Sequence, residues 1–367
     1  MLILLDCRPL QNAGSGREKA RLIFSVAVAL ASDKAVKWLL LVDHTYRRDL
    51  FPDLPDLPLV VQRALPGRAG WKLWYDWQIP RLVRKHQPDL VMLTGGVAAA
   101  SMPVPQYLWM PVYADPREGG KELALYASRL DSSLRRAERA FCFSEKDRSW
   151  LAGRGGADPD KLVVVGPAPS AETAILSAAG RERAKEEYAR GREYFFADVT
   201  AAGEGDVIFL LKAFSLFKKR QLSNLQLVVA GNLTTGLREK LETYKYKEDV
   251  HWCDPLAANS RLMGAYAALL PFDGDLLGIR LVDAWKAGVP VLVTKPGRLL
   301  GMAGDATLGA GATDPAAFAG HMMSVYKDEI LRGDLIKRGL SRLSGLDPAQ
   351  VVSSVWAVIG RVYPIIN

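Results

Sequence analysis

The sequence predicts an α/β protein made of two doubly wound lobes. Short apolar runs alternate with longer stretches of helical periodicity, which is typical of βαβ units and parallel sheets. A chain of 367 residues is longer than a single hydrophobic core usually supports, so two domains of ordinary size are expected. In doubly wound domains, ligands bind in a crevice at the carboxyl ends of the strands. A break with two prolines, residues 166–170, separates the two patterns.

The first lobe begins with a strand, a polar turn and a helix. Residues 2–5 form a short apolar run, residues 11–16 form a glycine-containing turn, and helical periodicity follows over 17–31. The further strands predicted for this sheet are 37–42, 89–93, 106–112, 140–143 and 161–165.

The same pattern restarts after the break. A charged helical stretch at 181–190 precedes an apolar strand at 194–197 and a helix at 207–220. The remaining predicted strands are 225–230, 251–252, 268–270 and 289–293. The remaining predicted helices are 280–287, which Gly288 and Pro290 end, and then 316–326, 329–344 and 348–361.

Composition disfavours several functional classes. A hydrophobic content of 49% and a mean hydropathy of +0.02 fit a folded globular chain and not a disordered one. Cys7, Cys142 and Cys253 form no CxxC pair, so they predict neither a disulfide framework nor a structural zinc site, and they fit a reducing compartment. The net charge of +8 is spread over both halves without finger spacing or RNP-type aromatics, which disfavours nucleic-acid binding.

Targeting and catalytic motifs are absent from the sequence as well. We expect no signal peptide and no membrane span, because no apolar run reaches about 18 residues. A cytoplasmic protein is therefore expected, with a peripheral contact at the inner face of the membrane as one alternative. The glycine turn lacks the G-x-G-x-x-G spacing, and neither a P-loop nor a nucleophile elbow occurs, so dehydrogenases, NTPases and hydrolases are disfavoured.

A series of motifs, taken in order, carries a family resemblance. The first lobe has DCRPL at 6–10, GSGR at 14–17, FSE at 143–145 and PDK at 159–161. The second lobe has EYF at 193–195, LKAFSLFKKR at 211–220, LVVAG at 227–231, AGVPV at 287–291 and AGDA at 303–306. Each is an ordinary strand or turn alone, but their shared order resembles the GT-B glycosyltransferases of the family 4 type, also called glycosyl transferase group 1.

The resemblance implies a GT-B architecture, in which two Rossmann-like domains face a cleft. It implies retaining, metal-independent transfer of a hexose from a nucleotide diphosphate sugar to a glycan or lipid-linked acceptor, without a cofactor, as in polysaccharide biosynthesis. The implied domains are 1–178 on the acceptor side and 179–345 on the nucleotide-sugar side. A C-terminal helix within 346–367 is expected to pack back on the first domain.

The donor site implied by the resemblance surrounds the start of the helix predicted at 280–287. A departing diphosphate needs cations and helix N-termini around it, and Gly278 with Arg280 offers both. In the family pattern, Asp283 would bind the ribose and Asp275 the donor sugar, while Asp115 would face the acceptor as a base. The candidate donor-binding residues are Asp283, Gly278, Leu277, Arg280, Gly16 and Gly231.

The chain departs from the family pattern at the donor site. The two glutamates of the pattern are Asp275 and Asp283 here, and the glycine after the first of them is Leu276. The diphosphate-binding Arg-Lys pair of the family falls on Glu204 and Gly205, and a carboxylate in place of a guanidinium reverses the sign of the local field. These changes predict a degenerate donor site. They leave two alternatives open, an active enzyme and an inactive relative that keeps the fold as a binding or partner module.

Two basic segments also allow more than one interpretation. Trp71, Trp74 and Trp77 lie among basic residues, which suits a membrane headgroup surface or a sugar-stacking platform. The alternative is a helix with Trp71, Trp74 and Leu82 turned into the core. The basic run at 129–139 leaves the same choice between anionic lipid, a lipid-diphosphate acceptor and an ordinary surface helix.

Overall fold

A computed structural model describes most of the chain: residues 1–11, 15–31, 36–46, 57–111, 124–170, 172–200, 202–254, 258–272, 277–295, 297–346 and 348–362. The chain divides into two compact units. One comprises Met1–Pro167 with Pro348–Asn367, and the other comprises Ala168–Asp347. The first boundary therefore lies at Pro167, before the expected 178, because the backbone N–H of Ser170 already donates to the Asp283 carboxylate of the second unit.

In the described part of the first unit, parallel strands form one sheet. They are β1 (Leu2–Asp6), β2 (Lys37–Asp43), β3 (Leu59–Gln62), β4 (Leu90–Leu93), β5 (Gln106–Trp109), β6 (Arg139–Cys142) and β7 (Leu162–Val164). The order across the sheet is β3-β2-β1-β4-β5-β6-β7. The order reverses between β1 and β4, and in doubly wound sheets ligands bind at such a reversal.

The helices of this unit cover both faces of the sheet. They are α1 (Ser15–Ala31), α2 (Gly67–Leu73), α3 (Ile79–His86), α4 (Ala124–Arg136) and α5 (Glu145–Ala152). One wide π turn, Trp74–Gln78, joins α2 directly to α3. Such turns insert an extra residue into a helix and are frequent at functional sites.

The second unit repeats the arrangement with its own parallel sheet. The strands are β8 (Tyr194–Asp198), β9 (Gln226–Ala230), β10 (Val250–Cys253), β11 (Ala267–Leu270), β12 (Val291–Lys295) and β13 (Thr307–Gly311). Their order is β10-β9-β8-β11-β12-β13, so the reversal falls between β8 and β11. The α/β class and the two doubly wound sheets predicted from the sequence are confirmed.

Among the described residues of the second unit, one α-helix precedes β8, one follows each of the strands β8 to β12, and two follow β13. They are α6 (Ala178–Ala189), α7 (Glu204–Gln221), α8 (Thr235–Glu242), α9 (Ala258–Met263), α10 (Ile279–Lys286), α11 (Arg298–Ala303), α12 (Pro315–Lys327) and α13 (Glu329–Arg342). The last helix, α14 (Pro348–Val362), belongs to the first unit and contacts α1 there.

Apolar side chains fill both faces of the second sheet. The consecutive residues Phe195 and Phe196 of β8 point to opposite faces, each fully buried. Phe195 packs in one cluster with Phe214 and Phe318, and Phe196 packs in the other with Trp285. Parallel strands that are covered on both faces read as continuous apolar runs, which is why the sequence predicts most of them.

Two strands are absent from the sequence prediction. β3 has four residues at the sheet edge, too few for a clear pattern. β13 contains Gly309 and Gly311, which have low strand propensity, but its backbone pairs along its whole length with β12. Tertiary pairing therefore decides the conformation of β13 against its local composition.

Candidate functional site

The candidate site of the second unit lies at the carboxyl ends of β8 and β11. β8 ends at Asp198, whose Oδ1 accepts hydrogen bonds from the N–H and Oγ1 of Thr200, at 3.0 and 2.6 Å. The helix after β11, α10, begins near this edge, because its Arg280 reaches the other carboxylate oxygen of Asp198. Strand ends and a helix start thus meet at the reversal in strand order.

Gly278 is the residue that starts α10. It has φ 72° and ψ 22°, a left-handed conformation that side chains disfavour, and a Cβ there would lie 2.4 Å from Cε of Met302. The first N–H groups of a helix have no partner within the helix and can bind an anion. Leu277, which precedes Gly278, is buried.

Arg280 lies in the first turn of α10 and is nearly buried. Its Nε donates to Oδ2 of Asp198 at 2.6 Å, and its Nη1 donates to Oδ1 of Asn259. The same Nη1 lies 3.8 Å from Oδ2 of Asp283. The guanidinium that the sequence assigns to a diphosphate is therefore paired with groups of the protein itself.

Asp283, the predicted ribose ligand, is fully buried and accepts hydrogen bonds from a distant segment of the same unit. Its Oδ1 accepts from the N–H of Ser170 at 2.6 Å and from Oγ1 of Thr173 at 3.2 Å. Its Oδ2 accepts from Oγ of Ser170 at 2.9 Å. Both oxygens already have hydroxyl or amide donors, so Asp283 anchors Ser170 and Thr173 to α10 in this structure.

Two further hydrogen bonds attach the same segment. Nζ of Lys286, on the last turn of α10, donates to the carbonyl of Ser170 at 2.8 Å. Nδ2 of Asn259, on α9, donates to Oε1 of Glu172 at 2.5 Å. The segment that opens the second unit is thus fixed to two helices next to the candidate site.

Glu204 and Gly205 occupy the first turn of α7, where the resemblance expects an Arg-Lys pair. The carboxylate of Glu204 forms a half-exposed ion pair with Lys240 of α8. A carboxylate is favourable at a helix N-terminus because of the helix dipole. A Cβ at Gly205 would meet nothing within 4 Å. At these two positions the structure shows a link between α7 and α8 and no cation cluster.

Gly231 follows β9, and its backbone groups have partners in the protein. Its N–H donates to the carbonyl of Cys253 at 3.2 Å, and its carbonyl accepts from Nε1 of Trp252 at 2.5 Å. A Cβ at this position would lie 2.6 Å from Cγ2 of Val199. Close packing on Val199 is therefore sufficient to require glycine here.

The remaining predicted site residues lie elsewhere. Gly16 is in the first turn of α1, at the carboxyl edge of the first sheet. Asp115 and Asp275 fall in the ranges 112–123 and 273–276, which are outside the described residues. The structure therefore brings Gly278, Arg280 and Asp283 together.

The first unit has a buried carboxylate at its own reversal that the sequence analysis missed. Asp6 ends β1 and is fully buried, and its Oδ1 accepts from Nε1 of Trp74 at 3.1 Å and from the N–H of Arg8 at 3.3 Å. Burial raises the pKa of the Asp6 carboxyl to about 7, although both hydrogen bonds oppose the rise. A polar residue that directly ends a buried strand is the sequence signal for such a position.

A buried ammonium group lies near the same reversal. Nζ of Lys19, on α1, donates to the carbonyls of Thr94, Met110 and Trp109, at 2.5, 2.6 and 3.2 Å. Burial lowers the pKa of Lys19 to about 7, and the nearby Asp6 charge opposes this shift. No local pattern in the sequence distinguishes Lys19 from the surface lysines.

Metal-ligand clusters and membrane spans were sought within the described ranges. These residues contain no group of three or more His, Cys, Asp or Glu arranged to hold a metal ion. None of the helices described above has the length and apolar content needed to cross a bilayer. The cysteines Cys7, Cys142 and Cys253 are free thiols.

Sequence comparison finds a family model that matches most of the second unit. Residues 182–342 match the model of the family described as glycosyl transferases group 1. This stretch, from α6 to α13, is therefore similar in sequence to that family's domain. No curated protein sequence matches the chain.

Solved structures share the fold over nearly the whole chain. A glycosyltransferase from Rickettsia africae has a TM-score of 0.74 at 11% identity, with 98% of each chain covered. WaaG, a glycosyltransferase involved in lipopolysaccharide biosynthesis, has a TM-score of 0.73 at 16% identity, with 97% of this chain and 98% of WaaG covered. HepE from Anabaena, in complex with UDP-glucose, has a TM-score of 0.74 at 12% identity, with 98% of this chain and 100% of HepE covered. The GT-B fold expected from the sequence motifs is confirmed.

Substitution of Asp283 by alanine is expected to destabilise the second unit. It leaves the buried donors of Ser170 and Thr173 without an acceptor, which costs about 3–5 kcal/mol in the free energy of unfolding. Urea denaturation measures this loss. Glu204→Ala is the matched control, because it removes a half-exposed carboxylate and should cost less than about 1 kcal/mol. A folded Asp283→Ala protein with unchanged stability would contradict the anchoring role.

Substitution of Asp6 by asparagine is expected to change how stability depends on pH. The folded pKa of Asp6 is raised from 3.8 to about 7, so the folded state binds more protons than the unfolded state between these values. Wild-type stability should therefore fall relative to Asp6→Asn as the pH rises from about 4 to about 7, by up to about 4 kcal/mol. Urea denaturation across this range tests it, with the exposed Asp160→Asn as control. A difference that stays constant with pH would refute a raised pKa.

Proposed function

We propose that the chain is a group 1 glycosyltransferase that transfers a hexose from a nucleotide diphosphate sugar to a glycan or lipid-linked acceptor. The match of residues 182–342 to that family supports the class of reaction. UDP-glucose in the structure of HepE supports a nucleotide sugar as donor and makes uridine the first base to test. WaaG acts in lipopolysaccharide biosynthesis, which supports a glycan or lipid-linked acceptor.

The observation that carries the proposal is the start of α10. When the sugar leaves its donor, negative charge develops on the diphosphate, and peptide N–H groups and cations must stabilise it. The left-handed conformation of Gly278 turns the backbone into α10, so the peptide N–H groups of the first turn of this helix lie at the carboxyl edge of the sheet, where a helix N-terminus favours an anion. The helix starts at the reversal between β8 and β11, where doubly wound sheets bind nucleotides.

Arg280 is the cation proposed to join these N–H groups. Its bonds to Asp198 and Asn259 hold the guanidinium beside the helix start, and a guanidinium has five N–H donors. A bound phosphate would have to share the Arg280 guanidinium with Asp198 or displace Asp198 from it. We therefore assign the larger part of the diphosphate contact to the backbone of α10.

The other site roles remain proposals from the family resemblance. Asp275 would contact the donor sugar, and Asp115 would face the acceptor hydroxyl as a base. Gly16 and Gly231 would approach the donor with their backbones, although the N–H and carbonyl of Gly231 already have partners. The proposed transfer retains the configuration of the sugar and requires no metal.

A second candidate function is a non-catalytic relative that binds a ligand or partner without transferring sugar. The hydrogen bonds at Asp283 favour it, since Ser170 and Thr173 occupy the oxygens that the family pattern assigns to ribose. The Glu204–Lys240 ion pair favours it also, because a carboxylate stands where a diphosphate-binding pair is expected.

Calorimetric titration of the full chain with UDP, GDP, ADP and their sugar conjugates tests donor binding. We expect submillimolar affinity for one base, and Arg280→Gln should weaken it about ten-fold, since a hydrogen bond to a charged group contributes about 1.5–3 kcal/mol. Lys240→Gln is the control, because this exposed lysine is assigned no contact with the donor. Thermal unfolding verifies that each variant is folded.

The outcomes separate the two candidates. Release of nucleotide diphosphate in the presence of an acceptor pool supports the enzyme. Binding without release, or no binding by a folded sample, supports the non-catalytic relative. If Arg280→Gln lowers stability but leaves nucleotide affinity unchanged, Arg280 does not contact the diphosphate.

A further inference from the structure

The helical segment α2–α3 presents an apolar pair to solvent. Trp74 is fully buried and Trp71 is partly buried, with the Arg8 guanidinium 3.8 Å from its ring centre. Trp77 is 53% exposed and Leu73 is 37% exposed. The interpretation with Trp71, Trp74 and Leu82 turned into the core thus holds for Trp74 and Leu82, which are buried, and in part for Trp71, whereas Trp77, which it did not include, faces solvent.

The π turn between α2 and α3 puts a cation beside the exposed ring. Leu73, Trp77 and Arg81 are each four residues apart, and the Arg81 guanidinium lies 5.3 Å from the Trp77 ring centre. An exposed indole with a neighbouring cation is amphipathic in the way of tryptophans at membrane interfaces.

The same surface carries an unbalanced positive charge. Residues 57–87 contain six Lys and Arg and a single acidic residue, Asp76. The guanidinium of Arg129, on α4, donates two hydrogen bonds to the carboxylate oxygens of Asp76, at 2.7 and 2.6 Å. These bonds, with smaller effects from Lys72 and Arg136, hold the pKa of Asp76 below its usual range. The six exposed basic residues have no ion-pair partner among the described residues: Arg63, Arg68, Lys72, Arg81, Arg84 and Lys85.

We propose that this surface, named here the tryptophan face and defined by Leu73, Trp77, Arg81, Arg84 and Lys85, binds an anionic lipid bilayer. Trp77 and Leu73 would enter the headgroup region, and the basic side chains would contact lipid phosphates. Charge complementarity favours a lipid surface, because the apolar pair is flanked by cations that have no acidic partner within the described ranges. The inference deepens the acceptor part of the proposed function, since it places the protein where lipid-linked acceptors occur, but the binding itself requires no sugar transfer.

The charge contribution sets the size of the expected effect. Each Lys or Arg near an anionic membrane strengthens binding about five-fold. Reversal of two charges should therefore weaken binding by more than about 25-fold. The charge contribution should also decrease with added salt, because counterions screen it.

Cosedimentation of the full chain with lipid vesicles tests the proposal without any nucleotide sugar. Wild type should bind vesicles that contain phosphatidylglycerol and not vesicles of phosphatidylcholine alone. Arg81→Glu with Arg84→Glu, and separately Trp77→Ala, should each weaken binding. The matched control is Lys219→Glu with Arg220→Glu, an equal charge change at exposed positions on α7.

Each result of the vesicle experiment tests membrane binding and not sugar transfer. Absence of binding to phosphatidylglycerol vesicles would overturn the proposal. An equal loss of vesicle binding in the Lys219→Glu, Arg220→Glu control would also overturn it, because binding would then depend on net charge and not on the tryptophan face. Binding of polyphosphate or RNA as tightly as vesicles, with no effect of Trp77→Ala, would replace the bilayer by an anionic polymer. Nucleotide titration of the same variants should be unchanged, so failure here is distinct from failure of the proposed transfer.

Discussion

A fully buried carboxylate must be given donors, and at Asp283 this requirement organises the edge of the second sheet. Its donors come from Ser170 and Thr173, which connects the first segment of the unit to α10. Arg280, one turn earlier on the same helix, has its guanidinium nearby and is bonded in turn to Asp198 at the end of β8. The helix start, the strand end and the opening segment are therefore held by one polar network. Any ligand at Gly278 meets a surface that the protein has already ordered.

In the first unit, the buried charged groups are hydrogen-bonded to different kinds of partner. Its buried charges also lie at the reversal in strand order, but Asp6 is bonded to an indole and a backbone amide, and Lys19 is bonded only to carbonyls in the hydrogen bonds described. Carbonyls are partial charges and compensate an ammonium less than a carboxylate does. Burial is therefore the largest cause of the pKa shifts of both residues, raising the pKa of Asp6 and lowering that of Lys19.

The fold was largely predictable because its determinants are local in sequence. β9 is apolar from Leu227 to Ala230 and buried at all five positions, and such runs identify a parallel strand without knowledge of its neighbours. Gly278 and Asp283 stand in a recognisable family pattern, so the sequence singles them out as candidates, but it does not predict the partners of Asp283. Ser170 is 113 residues away in the chain, and no periodicity or spacing links two such positions. Trp77 shows a similar limit: regular helical spacing describes Trp71 and Trp74, and the π turn changes the direction of the residues that follow.

The π turn also makes the length of this segment matter. Removing one residue between Trp74 and Gln78 would convert the wide turn into ordinary helix and rotate everything after it by about 100° relative to α2, the angle of one residue in an α-helix. Ile79 and Val83 are now buried, and this rotation would turn them away from the core while it turned Arg81 and Arg84 toward it. Related chains that keep a buried Trp74 and an outward Trp77 should therefore tolerate substitution in this turn far better than deletion.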